Sequence, residues 1–140
     1  MRLRSITEHP IDGLDELLGD DRDESPGMKL IWCVVRPESL EAVKQSLTER
    51  ELIGGMTMTD VRGFGRQKGS TEHYRGESYV IRFLPKVRIE IVVRDEEVDG
   101  VMVAIRRAAH TGEVGDGKIF VVDVGQLMRI RTGDRGIGAL

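Results

Sequence analysis

Apolar and polar positions alternate with two different periods along this chain, and the change of period marks its elements. Leu30-Ile31-Trp32-Cys33-Val34-Val35 is a continuous apolar run, expected of a strand covered on both faces or lying at a subunit contact. Pro37 then opens a helix whose Leu40, Val43 and Leu47 share one face. Gly54-Gly55 breaks the chain before Met56 to Val61, where alternation of apolar and polar residues predicts a second strand. Residues 65 to 78 have no hydrophobic period and predict a long exposed loop, a kind of segment that is often functional. Tyr79 to Val93 predicts a long third strand interrupted at Pro85, and Asp95-Glu96 starts a second helix with Val98, Val101, Met102 and Ile105 on one side. Lys118 to Val124 is the fourth strand.

The resulting order, βαββαβ, is the ferredoxin-like α+β pattern: an antiparallel sheet with two helices on one face. The strands are too apolar for the second face to meet water, so that face is expected to be covered by self-association into a closed ring.

Charge divides the chain. Residues 1–27 hold eight acidic residues against Arg2, Arg4 and Arg22 and end in Asp20-Asp21-Arg22-Asp23-Glu24-Ser25-Pro26-Gly27, which reads as an acidic, mobile N-terminal extension. Ile11, Leu14, Leu17 and Leu18 within it are spaced for a short apolar stripe that needs something to dock on. The net charge of −3 belongs to this extension, and residues 28–140 are mildly basic, which suits small anions in clefts better than a long polyanion. The single cysteine, Cys33, excludes an intrachain disulfide and reads as a buried strand residue. No run approaches the roughly 18 to 20 apolar residues of a membrane span, and no signal peptide is visible, so a cytoplasmic protein without direct membrane insertion is expected.

The candidate chemistry lies in three segments. Thr111-Gly112-Glu113-Val114-Gly115-Asp116-Gly117-Lys118 brings glycines and a cation to the mouth of a strand, where backbone amides can converge on a phosphate. Gly63-Phe64-Gly65-Arg66-Gln67-Lys68-Gly69 repeats the theme after the second strand. Arg129 and Arg131 alternate along Met128 to Thr132, which would point both guanidinium groups to one side. No Walker A or Rossmann glycine pattern occurs, His9, His73 and His110 are scattered, and no catalytic triad or carboxylate pair stands out.

From Met28 to about Gly133 the chain resembles the PII signal-transduction proteins, the nitrogen-regulatory family. The resemblance rests on four ordered motifs: Gly63 to Gly69, Phe83-Leu84-Pro85-Lys86-Val87, Thr111 to Phe120, and Arg129-Ile130-Arg131-Thr132-Gly133. It implies a homotrimer with ATP or ADP in three clefts between neighbours, a T-loop at about 65–78, a B-loop at 111–118 and a C-terminal segment at 129–140. It also implies that Gly63, Arg66, Gln67, Gly115, Asp116, Gly117 and Lys118 bind the nucleotide, with Arg129 and Arg131 reaching across from the adjacent subunit. Gln67 would hold Mg together with ATP and 2-oxoglutarate, and Lys86 would pair with a 2-oxoglutarate carboxylate. The implied function is a non-enzymatic regulator, with at most slow incidental ATP hydrolysis, whose T-loop conformation controls an ammonium channel or nitrogen-metabolism enzyme.

Some positions depart from the family pattern. In Tyr74-Arg75-Gly76-Glu77-Ser78-Tyr79 the acidic and small positions are exchanged, although Tyr79 matches the nucleotidylated tyrosine. Glu113 stands where a basic residue is usual in the B-loop, and a carboxylate near phosphates would alter nucleotide affinity. The competing expectations are a PII-like sensor of another small anion such as bicarbonate, a nucleotide hydrolase or transferase, and an RNA-binding module. Gln67 and Lys86 speak against the first and the absence of a visible base against the second. Six aromatic residues without an aromatic-rich strand speak against nucleic acid.

Overall fold

Alternation along β1 (Met28–Val35) from Leu30 onward sets the architecture: Ile31, Cys33 and Val35 are almost inaccessible, while Leu30, Trp32 and Val34 on the opposite face are half-buried. The computed structural model describes residues 27–51, 54–65, 73–74, 78–79 and 82–140. The acidic extension, Arg66 and Gln67 lie outside the described residues.

After β1, a 3-10 turn at Pro37–Ser39 leads into α1 (Leu40–Glu49), as expected of a proline at a helix start. β2 (Thr57–Gly63) is followed by two short strands, β3 (His73–Tyr74) and β4 (Ser78–Tyr79), which pair with each other. Then come β5 (Leu84–Arg94), a 3-10 turn at Asp95–Glu97, α2 (Val98–Ala109) and β6 (Lys118–Asp123). The main sheet runs β2-β5-β1-β6 with every pair antiparallel, the ferredoxin-like order read from the sequence.

Both helices pack on one face. Val43 and Leu47 of α1 and Val101, Ala104, Ile105 and Ala109 of α2 meet Ile31, Cys33 and Val35 of β1 and Val87, Ile89, Ile91 and Val93 of β5. Burial pushes the Cys33 thiol up to about 11, so at neutral pH it packs as an uncharged core residue.

The structure corrects four details of the sequence reading. Pro85 does not interrupt the third strand but lies within β5, opposite Arg62. It is tolerated because pairing of β5 with β1 begins only at Val87, so the proline sits beyond the doubly paired stretch. The segment at 65–78 is not wholly irregular, since β3 and β4 form a ribbon within and beside it. On α2, Ala104 and Ala109 join Val101 and Ile105 on the buried face, whereas Met102 lies at its margin and is half-buried. Met128 to Thr132 is not a strand. Met128 makes an isolated bridge to Arg135, and the chain turns between them, with Arg129 N donating to Asp134 O and Gly133 N to Arg129 O. Alternation therefore does not align Arg129 with Arg131.

Candidate nucleotide-binding cleft

Antiparallel pairing brings the C-terminal ends of β1 and β2 and the N-terminal ends of β5 and β6 to one edge of the sheet. There, on the face without helices, lies a cleft of about 570 Å³ lined by residues that include Val34, Gly63, Lys86, Gly115, Gly117 and Lys118, within the usual range for a small-molecule site. Its walls combine apolar side chains, among them Phe64, Val114 and Phe120, with two lysines. Among the described lining residues there is no carboxylate. Apolar walls suit a planar base, and paired ammonium groups suit an anion.

The loop between α2 and β6 is shaped by its own hydrogen bonds. Asp116 accepts from Thr111 N at 2.8 Å, from Gly112 N at 3.0 Å and from the Thr111 hydroxyl. These bonds, with the Arg36 guanidinium nearby, hold the Asp116 carboxyl well below the usual carboxylate range. Gly117 has φ +106°, and a Cβ there would come within 1.8 Å of Val34 O, so only glycine lets the loop cross the end of β1. Lys86 reaches over from β5 and donates to Gly115 O at 3.0 Å. Partial burial and the like charge of Arg36 lower the Lys86 pKa from its ordinary value.

Gly63, Lys86, Gly115, Gly117 and Lys118 thus share one cleft, although they come from three separate parts of the chain. Asp116 instead faces a smaller pocket of about 270 Å³ shared with His110 and Ile119, so within the protomer it shapes the loop rather than lining the cleft. Arg129 and Arg131 are separated from Lys118 by the length of β6 and do not line their own protomer's cleft. Arg129 lies against Asp134 at 3.3 Å and donates to Leu140 O at 3.1 Å, whereas Arg131 is exposed. Tyr79 falls in β4.

Two features escaped the sequence reading. Arg36, just past β1, donates to Val114 O at 2.9 Å and lies 3.5 Å from Asp116 Oδ1. A cation directly before proline at the end of an apolar strand was the available signal. Phe64 and Phe83 make an edge-to-face pair, centroids 5.6 Å apart, that joins the end of β2 to the start of β5. Their wide separation in sequence hid that pairing.

Comparison with known proteins places these features in context. The family profile described as "Nitrogen regulatory protein P-II" matches residues 28–134. A Nitrogen regulatory protein P-II of Mesorhizobium japonicum is 52% identical over 113 residues, covering 81% of this chain and 100% of the relative. The protein of the same name from Pasteurella multocida is 54% identical with the same coverage. The crystal structure of Arabidopsis thaliana PII bound to citrate superposes with a TM-score of 0.65 at 37% identity, covering 81% of this chain and 89% of that one.

Proposed function

The chain belongs to the nitrogen regulatory protein P-II family, and from that premise we propose that it is a non-catalytic sensor of ATP, ADP and 2-oxoglutarate that controls nitrogen-assimilation proteins through its T-loop. One observation carries the reading: Gly63, Lys86, Gly115, Gly117 and Lys118 converge on a single cleft whose described lining residues bear positive but no negative charge.

In this reading the base packs against the apolar wall, and Lys118 with the amides of the 115–117 turn takes the phosphates. Arg129 and Arg131 of an adjacent protomer complete the phosphate site in a homotrimer. The open sheet face supports such an assembly, because it carries apolar side chains up to the rim of the cleft. Gln67, a neutral oxygen donor at the start of the T-loop, is assigned to Mg, which would neutralise phosphate charge and help dock the effector. Lys86 is assigned to a 2-oxoglutarate carboxylate. The citrate bound to the Arabidopsis relative is compatible with a small polycarboxylate on this fold. The effector and nucleotide would select among T-loop conformations, and hence among partners such as an ammonium channel or a nitrogen-metabolism enzyme.

Calorimetric titration of ATP, ADP and 2-oxoglutarate, each with and without Mg, tests this reading. Expected are saturable binding of both nucleotides, 2-oxoglutarate binding only with Mg and ATP present, and one nucleotide site per protomer. Absence of adenine-nucleotide binding would overturn it. Effector binding by bicarbonate instead of 2-oxoglutarate would favour the other-anion reading.

A further inference from the structure

We infer that Arg36 is a positioning residue for the phosphate loop, acting through Val114 and Asp116 rather than by touching the ligand. The inference rests on the nucleotide reading above and adds a residue that does not line the cleft.

Arg36 is fixed from both sides. Pro37 follows it, and Arg36 has the extended backbone, φ −63° and ψ 144°, that a residue before proline favours. Its side chain is only 14% exposed, so the guanidinium lies against protein rather than in water. One guanidinium nitrogen both donates to Val114 O and faces Asp116 Oδ1, 78 residues away in sequence at the nearer contact. Asp116 passes that constraint on, because it accepts the Thr111 and Gly112 amides that begin the same loop.

The geometry has a direct consequence for the amides. All described peptide bonds are trans, so within each peptide plane the carbonyl and the following N–H point in opposite directions, and fixing one fixes the other. Arg36 holds the carbonyl of Val114 and Lys86 that of Gly115, which fixes the Gly115 and Asp116 amides in consecutive peptide planes. Such a run of oriented amides is what an anion nest requires. Arginine suits the task because the N–H bonds of that nitrogen are held in the guanidinium plane and so keep fixed directions toward the carbonyl and the carboxylate, whereas the donors of an ammonium rotate freely.

Two measurements on the full chain test the inference. In the nucleotide-free protein, the Gly112, Gly115 and Gly117 amide resonances are expected to shift in Arg36→Met, while the methyl resonances of Ile89 and Ile105 in the helix-covered core stay in place. ATP affinity is expected to fall roughly ten- to hundredfold, the loss of one charge-assisted hydrogen bond, with Arg36→Lys recovering part of it. Adding Arg36→Met to Asp116→Asn should cost less than the two single losses combined, since both act on one loop. Unchanged glycine amides in Arg36→Met, or an ATP affinity of that variant equal to that of a wild type that binds ATP, would overturn the positioning role. A wild type that binds no ATP would instead defeat the nucleotide reading, leaving the amide shifts to decide whether Arg36 orders the loop.

Discussion

The two faces of the sheet are built from the same strands and meet opposite environments. On the helix-covered face Ile31, Ile89, Val43, Leu47 and Val101 have no accessible surface. On the other face Trp32 stacks on Phe120 with centroids 4.0 Å apart and Arg88 sits 4.3 Å over the Trp32 ring, yet Phe120 and Val122 remain 40% and 45% exposed. One face is finished within the protomer. The other presents aromatic and aliphatic surface at the rim of the candidate site, which is where a neighbour could both bury that surface and supply further site residues.

The contrast is broken most directly in the core. Ile89→Ala should cost about 2–5 kcal/mol in chemical denaturation, because a fully packed site cannot close around the missing atoms. A loss below about 1 kcal/mol would mean that the helix face is not the closed core described.

Trp32→Ala removes a ring stack and a cation–π contact, together about 1–2 kcal/mol within a protomer. If neighbours cover this face, the same substitution also weakens assembly, and light scattering should show smaller particles on dilution. Val122→Ala is the milder probe, with a loss of about 0.5 kcal/mol or less for an isolated chain. A larger loss that depends on protein concentration would show that the open face is buried by association.

Acid separates the faces by chemistry. Cys33, the titratable side chain of the core cluster among the described residues, stays uncharged until near pH 11, whereas Asp116 in the loop before β6 has a lowered pKa. A carboxylate with a folded pKa below its unfolded value of about 4 contributes stability above that pH and loses it as pH falls through the folded value. Amide exchange or resonance shifts should therefore show the 111–118 loop unchanged from pH 7 to about 4 and loosening only in stronger acid, with Asp116→Asn removing this pH dependence. Loosening above pH 5 would contradict the bonding of Asp116 described here.

Local pattern carried much of this fold. Continuous apolar runs located β1 and β6, alternation located β2, and a helical period located both helices, with Leu40, Val43 and Leu47 giving the face of α1. Glycine and lysine in the 111–118 segment marked the candidate cleft, because a positive φ and a close backbone approach leave a chemical signature in the sequence. Pattern failed where position in the sheet overrode it. Pro85 looks like a break until its strand is seen to run past β1, and Arg129 and Arg131 look aligned until the chain turns back to Asp134.

By itself, then, the sequence determined which segments pair or coil and which turns can cradle an anion, since propensity, periodicity and glycine geometry act over a few residues. Only the tertiary structure decided that Val34, Gly63, Lys86 and Lys118 share one edge of the sheet and that Arg36 grips a loop 78 positions away. Those relations follow from strand order and register, which depend on the free energy of burying one whole face against two helices.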